Sequence, residues 1–432
     1  MTNVLIAGGR VIDPSRGTDG IADVYLVDGR IEAVGRNIPV GDGVRRIDAT
    51  GKVVAPGFVD LHVHLREPGQ EHMETIATGS LAAVAGGFTG ICAMPNTDPV
   101  IDNQAAVGFV VRQAIRAGNA RVYPIGCISL GRKGQQLAEI GEMVAAGAVA
   151  VSDDGKTVAS SQLMRTALEY AKVFGIPVAD HCEDPTMALG VMHEGIVATR
   201  LGLKGMPAAA EEIIVARDLL LAELTGGRLH LCHVSTRGSV AMIRRAKELG
   251  LSVTAEATPH HLSLTHEACE NYNTNAKMKP PLREPEDVEA IRLGLKDGTI
   301  DCIATDHAPH HYDAKQREFD EAPHGIIGLE TALGIAIRDL VGPGILSLPE
   351  LVAKLSTNPA RVYSLAGGTL AVGGPADVVV FDPARRWIVE ARDLHSKSAN
   401  SPYLGQTLVG QADLTTVGGR VVFERGVAKT DG

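Results

Sequence analysis

The stretch Val59-Asp60-Leu61-His62-Val63-His64-Leu65-Arg66 closes an apolar run that begins at Val53. In a strand, residues i and i+2 share one face. His62 and His64 therefore point the same way, as two imidazoles converging on one metal ion do. Arg66 has the same parity and continues that face toward an anion. A His-x-His pair by itself also occurs in ordinary strands. Its meaning depends on what the rest of the chain places beside it.

Downstream of this strand, from about residue 55 to 366, apolar strands alternate with helical stretches. Strands are predicted to end near His64, Met94, Cys127, Val151, Asp180, Cys232, Ala257 and Thr305. Helical periodicity lies between them, at 73–85, 103–117, 135–146, 161–174, 209–225, 238–249 and 284–296, and again at 329–340 after the eighth strand. Eight such repeats predict a (β/α)8 TIM-like barrel. Residues 1–54 and 367–432 read differently, as short strands with tight turns such as Asp28-Gly29 and Gly418-Gly419. Both ends are expected to build one composite β-sandwich, with the barrel of residues 55–366 inserted in it.

The chain has 432 residues, enough for a large barrel and a smaller unit. Its net charge of −10 gives no support to nucleic acid or an anionic membrane as partner. An anionic substrate needs local cations. No apolar run reaches the roughly 18 residues of a membrane span, and residues 1–5 lack the basic start of a signal peptide. The six cysteines are scattered without a C-x-x-C pair and fall mostly in strand-like runs, which fits reduced thiols in the cytoplasm.

Barrel active sites lie at the C-terminal ends of the strands. Here those ends carry His62, His64 and Arg66; Asn96; Asp153 and Asp154; His181, Cys182 and Glu183; His230 and His233; His260 and His261; Asp306, His307 and His310. Histidines and carboxylates at several ends of one barrel meet over one opening. Nitrogen and oxygen donors of this kind suit a divalent metal, zinc first. Four histidines with two carboxylates exceed the needs of one tetrahedral ion and suit two ions bridged by a carboxylate and a hydroxide. Adjacent residues point to opposite faces, so at most one of Asp153 and Asp154 is the bridge. By the same parity only one of His230 and His233 is a ligand, and His233 stands at the strand's end. Cys182 is a soft donor or simply a buried residue. His260 and His261 can orient other groups. His72, His193, His266 and His395 receive no role.

The segments Val59-Asp60-Leu61-His62-Val63-His64, Met94-Pro95-Asn96-Thr97, His181-Cys182-Glu183-Asp184, His233-Val234-Ser235-Thr236 and Ala304-Thr305-Asp306-His307-Ala308-Pro309-His310 resemble the amidohydrolase superfamily, and within it the dihydroorotases of the long bacterial type. The resemblance implies hydrolysis of a cyclic amide, (S)-dihydroorotate, to N-carbamoyl-L-aspartate in pyrimidine (UMP) synthesis. It implies that His62, His64 and Asp306 hold the more buried zinc, that His181 and His233 hold the second, and that Asp154 bridges them with a hydroxide. Asp306 would also move the proton. Arg66, Asn96 and His310 would bind the substrate carboxylate, and the backbone at His324-Gly325 would meet the ring. A homo-oligomer and an association with aspartate transcarbamoylase are further expectations. The alternatives are a hydantoinase or allantoinase, and a non-catalytic scaffold for that transcarbamoylase. Two positions depart from the wider pattern. Many amidohydrolases use a carboxylated lysine at strand four, where this chain has Asp153-Asp154-Gly155 and carries Lys156 beyond the turn. Lys279 stands where the resembling family usually has a substrate-contacting asparagine. The polar segment 310–324 is expected to be a mobile loop over the site.

Overall fold

The computed structural model describes residues 3–427. Eight parallel strands form one sheet in strict chain order. They are Phe58–Val63, Phe88–Ala93, Arg121–Gly126, Ala150–Val151, Val178–Asp180, Leu229–Leu231, Val253–Ala257 and Cys302–Ile303. The last returns to the first through a parallel bridge between Val63 and His307, reinforced by His64 N–H donating to the His307 carbonyl at 2.9 Å. This is the expected (β/α)8 barrel.

Helices cover the outside, and their starts follow local chemistry. Thr75, Asn103, Ser160 and Thr236 cap the helices Ile76–Ala85, Gln104–Ala117, Ser161–Val173 and Arg237–Glu248 with side-chain oxygens. The predicted helix at 135–146 is shorter, Ile140–Ala145, because residues 136–138 pair back onto residues 128–130. The connection after strand five contains an unexpected excursion: two short strands, Met192–His193 and Gly205–Met206, around the helix Ile196–Leu201.

The chain ends share a second sheet. Strands at Val4–Asp13, Thr18–Val27, Arg30–Gly35, Arg45–Asp48 and Val53–Pro56 join Val378–Ile388, Thr407–Val417 and Arg420–Glu424 in one hydrogen-bonded set. Val4, Val11, Val24, Leu26, Val54, Val378, Val380 and Leu414 are among its buried core residues. One residue, Gly57, separates this sheet from barrel strand one. A Cβ there would lie 2.1 Å from the Thr89 side chain, so the junction excludes any larger residue. Phe58 follows, wholly buried, with ring centroids 5.7 Å from Phe88 and 5.9 Å from Phe381. Arg121 of the barrel forks onto Asp377 of the sheet, Nε to Oδ2 at 2.7 Å.

Phe58→Ala leaves a cavity between three elements. It is expected to cost about 3–5 kcal/mol, read as a lower denaturation midpoint, whereas Ile115→Ala at an exposed helix position should change stability by no more than about 0.5 kcal/mol.

Candidate metal centre

Strand one carries the organising residues. His62 is wholly buried and His64 nearly so. His62 Nδ1 lies 2.7 Å from Glu256 Oε1 of strand seven. His64 Nδ1 lies 2.8 Å from Asn96 Oδ1 of the strand-two loop. Both partners are oxygen acceptors, so each Nδ1 carries the proton and a neutral ring presents a lone pair at Nε2. Those lone pairs face more oxygen. His62 Nε2 is 3.3 Å from Asp154 Oδ1 and 3.4 Å from Asp306 Oδ1. His64 Nε2 is 3.0 Å from Asp306 Oδ1 and 3.5 Å from Asp154 Oδ2.

Asp154 also faces the second pair. Its Oδ1 lies 3.6 Å from both His181 Nδ1 and His233 Nε2, which are 2.8 Å from each other. Asp154 Oδ1 and His62 Nε2 are buried and have no hydrogen-bond partner. Lone pairs aimed at one another in a buried place repel, and a cation between them removes the conflict. The donor set therefore fits a metal: His62, His64 and Asp306 on one side, His181 and His233 on the other, Asp154 between.

The backbone supports this at a cost. Arg66, His233 and Asp306 adopt left-handed conformations, with φ of 60°, 32° and 47°. Such residues each store about 1–3 kcal/mol of strain, and they concentrate where side chains must be aimed. Asp60 of strand one accepts from the backbone N–H of His62 in the same strand and of Thr305 just past strand eight, both at 3.1 Å. Burial pushes its carboxyl up to about 7.

The neighbouring aspartate is structural. Asp153 accepts from the N–H of Ile128 and Ser129 and from the Ser129 hydroxyl, and so turns away from the cluster. Lys156 is exposed in the turn and supplies nothing to the centre. His230 holds Thr254 and the second oxygen of Glu256. His261 links Thr258 to the Pro280 carbonyl. Cys182 lies beside Asp180 and Asp218, and all six cysteines are free and buried.

An anion-binding flank lies next to the cluster. Arg66 is 8% exposed, donates Nε to the Pro309 carbonyl, and has no ion pair among the described residues. Burial lowers its guanidinium to about 10, so it stays charged at neutral pH. His310 donates Nε2 to the His324 carbonyl at 2.8 Å and is pushed down to about 2 by burial and by Arg66. Burial holds His324 at about 3. Both are neutral near pH 7, and His324 Nε2 is buried without a partner. The N–H of Gly325 is already engaged by the Lys277 carbonyl at 2.9 Å. A Cβ at Gly325 would meet the Ala308 carbonyl at 2.6 Å, which explains the glycine.

The loop 310–324 is fastened down, contrary to the expectation of a mobile cover. Lys315 is buried and donates to the carbonyls of Thr274 and Pro323. Lys277 donates to those of Phe319 and Asp320. Phe319 enters a small apolar cluster with Met192, Cys269 and Leu282. Composition shows a charged loop but not that its lysine, Lys315, is buried on two carbonyls.

Four contributors were missed by sequence reasoning. Glu256 is a lone carboxylate inside an apolar strand, a pattern that was readable. Arg132 donates to the carbonyls of Asp153 and Asp154. Asn400, far along the chain, donates to Ala308 and Gly325 and accepts from His310 N–H. Glu183, named at the end of strand five but given no role, pairs with His181 and Lys279.

A barrel whose strand ends gather four histidines and two aspartates around a cation-fitting centre defines the amidohydrolase class of metal-dependent hydrolases. Family profiles agree: one described as Dihydro-orotase-like matches residues 51–239, and one described as Amidohydrolase family matches residues 225–423. A protein of Anaeromyxobacter sp. (strain K) named Dihydroorotase is 55% identical over 432 residues, covering 99% of this chain and all of that protein. One from Trichlorobacter lovleyi with the same name is 52% identical, covering 98% of this chain and 99% of its own length. The chain belongs to the dihydroorotase family. Among solved structures, the L-hydantoinase (dihydropyrimidinase) of Arthrobacter aurescens is similar with a TM-score of 0.89 at 28% identity, over all of this chain and 98% of that one. The dihydropyrimidinase of Brevibacillus agri NCHU1002 follows with a TM-score of 0.85 at 25% identity, over 98% of this chain and 95% of that one. Among the described residues no helix is long and apolar enough to cross a membrane.

Glu256→Gln removes the charge that orients His62. Metal retention is expected to weaken about 10–100-fold, measured by competition with a chromophoric chelator; unchanged retention would separate Glu256 from the centre.

Proposed function

We propose that the chain is a zinc-dependent dihydroorotase, which reversibly hydrolyses the ring amide of (S)-dihydroorotate to N-carbamoyl-L-aspartate in pyrimidine synthesis. The observation that carries this reading is the unpaired, buried Arg66 guanidinium beside the metal-ready cluster. It offers a cation for a substrate carboxylate next to a centre suited to a carbonyl.

His62, His64 and Asp306 would hold one zinc ion, His181 and His233 a second, and Asp154 would join them. When bound, the ions polarise the ring carbonyl and provide a nucleophile stronger than neutral water. The chain does the rest. Arg66 grips the substrate carboxylate in a fork that lysine lacks. Asn96 Oδ1 is committed to His64, which leaves its amide nitrogen to donate. His310 and His324, held neutral by burial, donate or accept without adding charge. Asp306 takes the proton released on attack and returns it to the ring nitrogen as the amide bond breaks. The deep position of the donors excludes bulk water from that transfer. A cytoplasmic location, a homo-oligomer and cooperation with aspartate transcarbamoylase belong to the same reading.

The hydantoinase reading draws on two of the solved structures similar to this one. An aspartate at 154, an exposed Lys156 and an Arg66 guanidinium without a carboxylate partner favour the acidic ring instead.

Purified protein should convert dihydroorotate to carbamoyl aspartate, lose activity on chelation and regain it with zinc. Faster cleavage of an uncharged hydantoin would favour the alternative. Asp154→Ala should lose one metal ion and most activity together; an intact metal count would remove it as the bridge. Arg66→Lys should raise KM for dihydroorotate tenfold or more, about 1.4 kcal/mol or above, and leave an uncharged substrate little affected.

A further inference from the structure

The far nitrogens of His62 and His64 are fixed by Glu256 and Asn96. His181 poses the same problem with a different answer. It turns Nδ1 toward Asp154 and His233. Its Nε2 points the other way and is buried without a hydrogen-bond partner. Opposite stands Glu183 Oε2, 3.6 Å off, also buried and without a donor. The other oxygen of Glu183 receives Lys279 Nζ at 2.6 Å. Glu183 belongs to the loop after strand five and Lys279 to the loop after strand seven. The pair therefore ties two loops together at the edge of the centre, with Lys279 only 28% exposed.

We propose that Lys279 and Glu183 are positioning residues for the second metal ion: Lys279 fixes Glu183, and Glu183 fixes His181. The inference rests on the two-ion reading above. A neutral imidazole has one N–H. A carboxylate opposite Nε2 selects the tautomer with the proton there and leaves the Nδ1 lone pair for the ion. Without the lysine, Glu183 would be a buried carboxylate with one oxygen unmatched, free to swing from the ring. The asparagine expected at 279 would reach toward substrate. A lysine at this position commits its ammonium to Glu183, so its role moves from substrate to metal.

The test compares the full-length parent with E183Q, K279M and K279R. Each is loaded with zinc and titrated with a chromophoric zinc chelator, which resolves the two ions by affinity. Affinity for the second ion should fall about 10–100-fold in E183Q, fall in K279M, and return in K279R. The first ion should be held as in the parent. Parent-like affinity for the second ion in both E183Q and K279M overturns the proposal. So does a K279M protein with a raised KM for dihydroorotate and unchanged zinc affinity, which would make Lys279 a substrate contact. A parent chain that binds a single zinc ion overturns the two-ion reading and this inference with it. That outcome is read before any variant, so the two failures are distinguishable. K279M alters a partly exposed side chain and serves if E183Q does not fold.

Discussion

A neutral histidine has one lone pair to offer, and in this protein the choice of nitrogen is made from behind. Glu256 and Asn96 accept hydrogen bonds from Nδ1 of His62 and His64 and keep the protons there. Everything at the front of those rings follows. Two lone pairs and two carboxylates converge in a buried space, an arrangement that a cation makes favourable and that is otherwise costly. Strand seven is therefore as much a part of the centre as strand one, although it donates no ligand.

The frame that holds this arrangement is stiff for identifiable reasons. Asp60 clamps strands one and eight through two backbone N–H groups. The left-handed turns at Arg66, His233 and Asp306 each follow a strand and redirect a side chain over the opening. The strain is sustained by the surrounding packing, since the sheet made from both chain ends grips the barrel at Phe58 and Asp377. The sheet that looks remote from the chemistry supports the strand from which His62 and His64 project.

Much of this was legible because it is local. Strand periodicity, helix caps and the parity of His62, His64 and Arg66 are properties of neighbouring residues, and the barrel followed from them. The choice of Asp154 over Asp153 was not local: it depends on Ile128 and Ser129, whose N–H groups claim Asp153. Asn400 gave no signal, because its contacts with Ala308 and Gly325 cross 92 and 75 residues. The loop 310–324 misled because charge was read as solvation. Lys315 is instead buried on two carbonyls, and Phe319 on an apolar cluster.

His64 and Asp306 touch although 242 residues separate them. The first and last strands of the barrel must meet before that contact exists. During synthesis, His62 and His64 emerge early and then wait for more than half of the chain. A nascent or truncated protein thus presents two histidines without the carboxylate that completes their set. On the proposed ligand set, metal loading is a report on finished folding: the cation would have its full seat only when the barrel has closed.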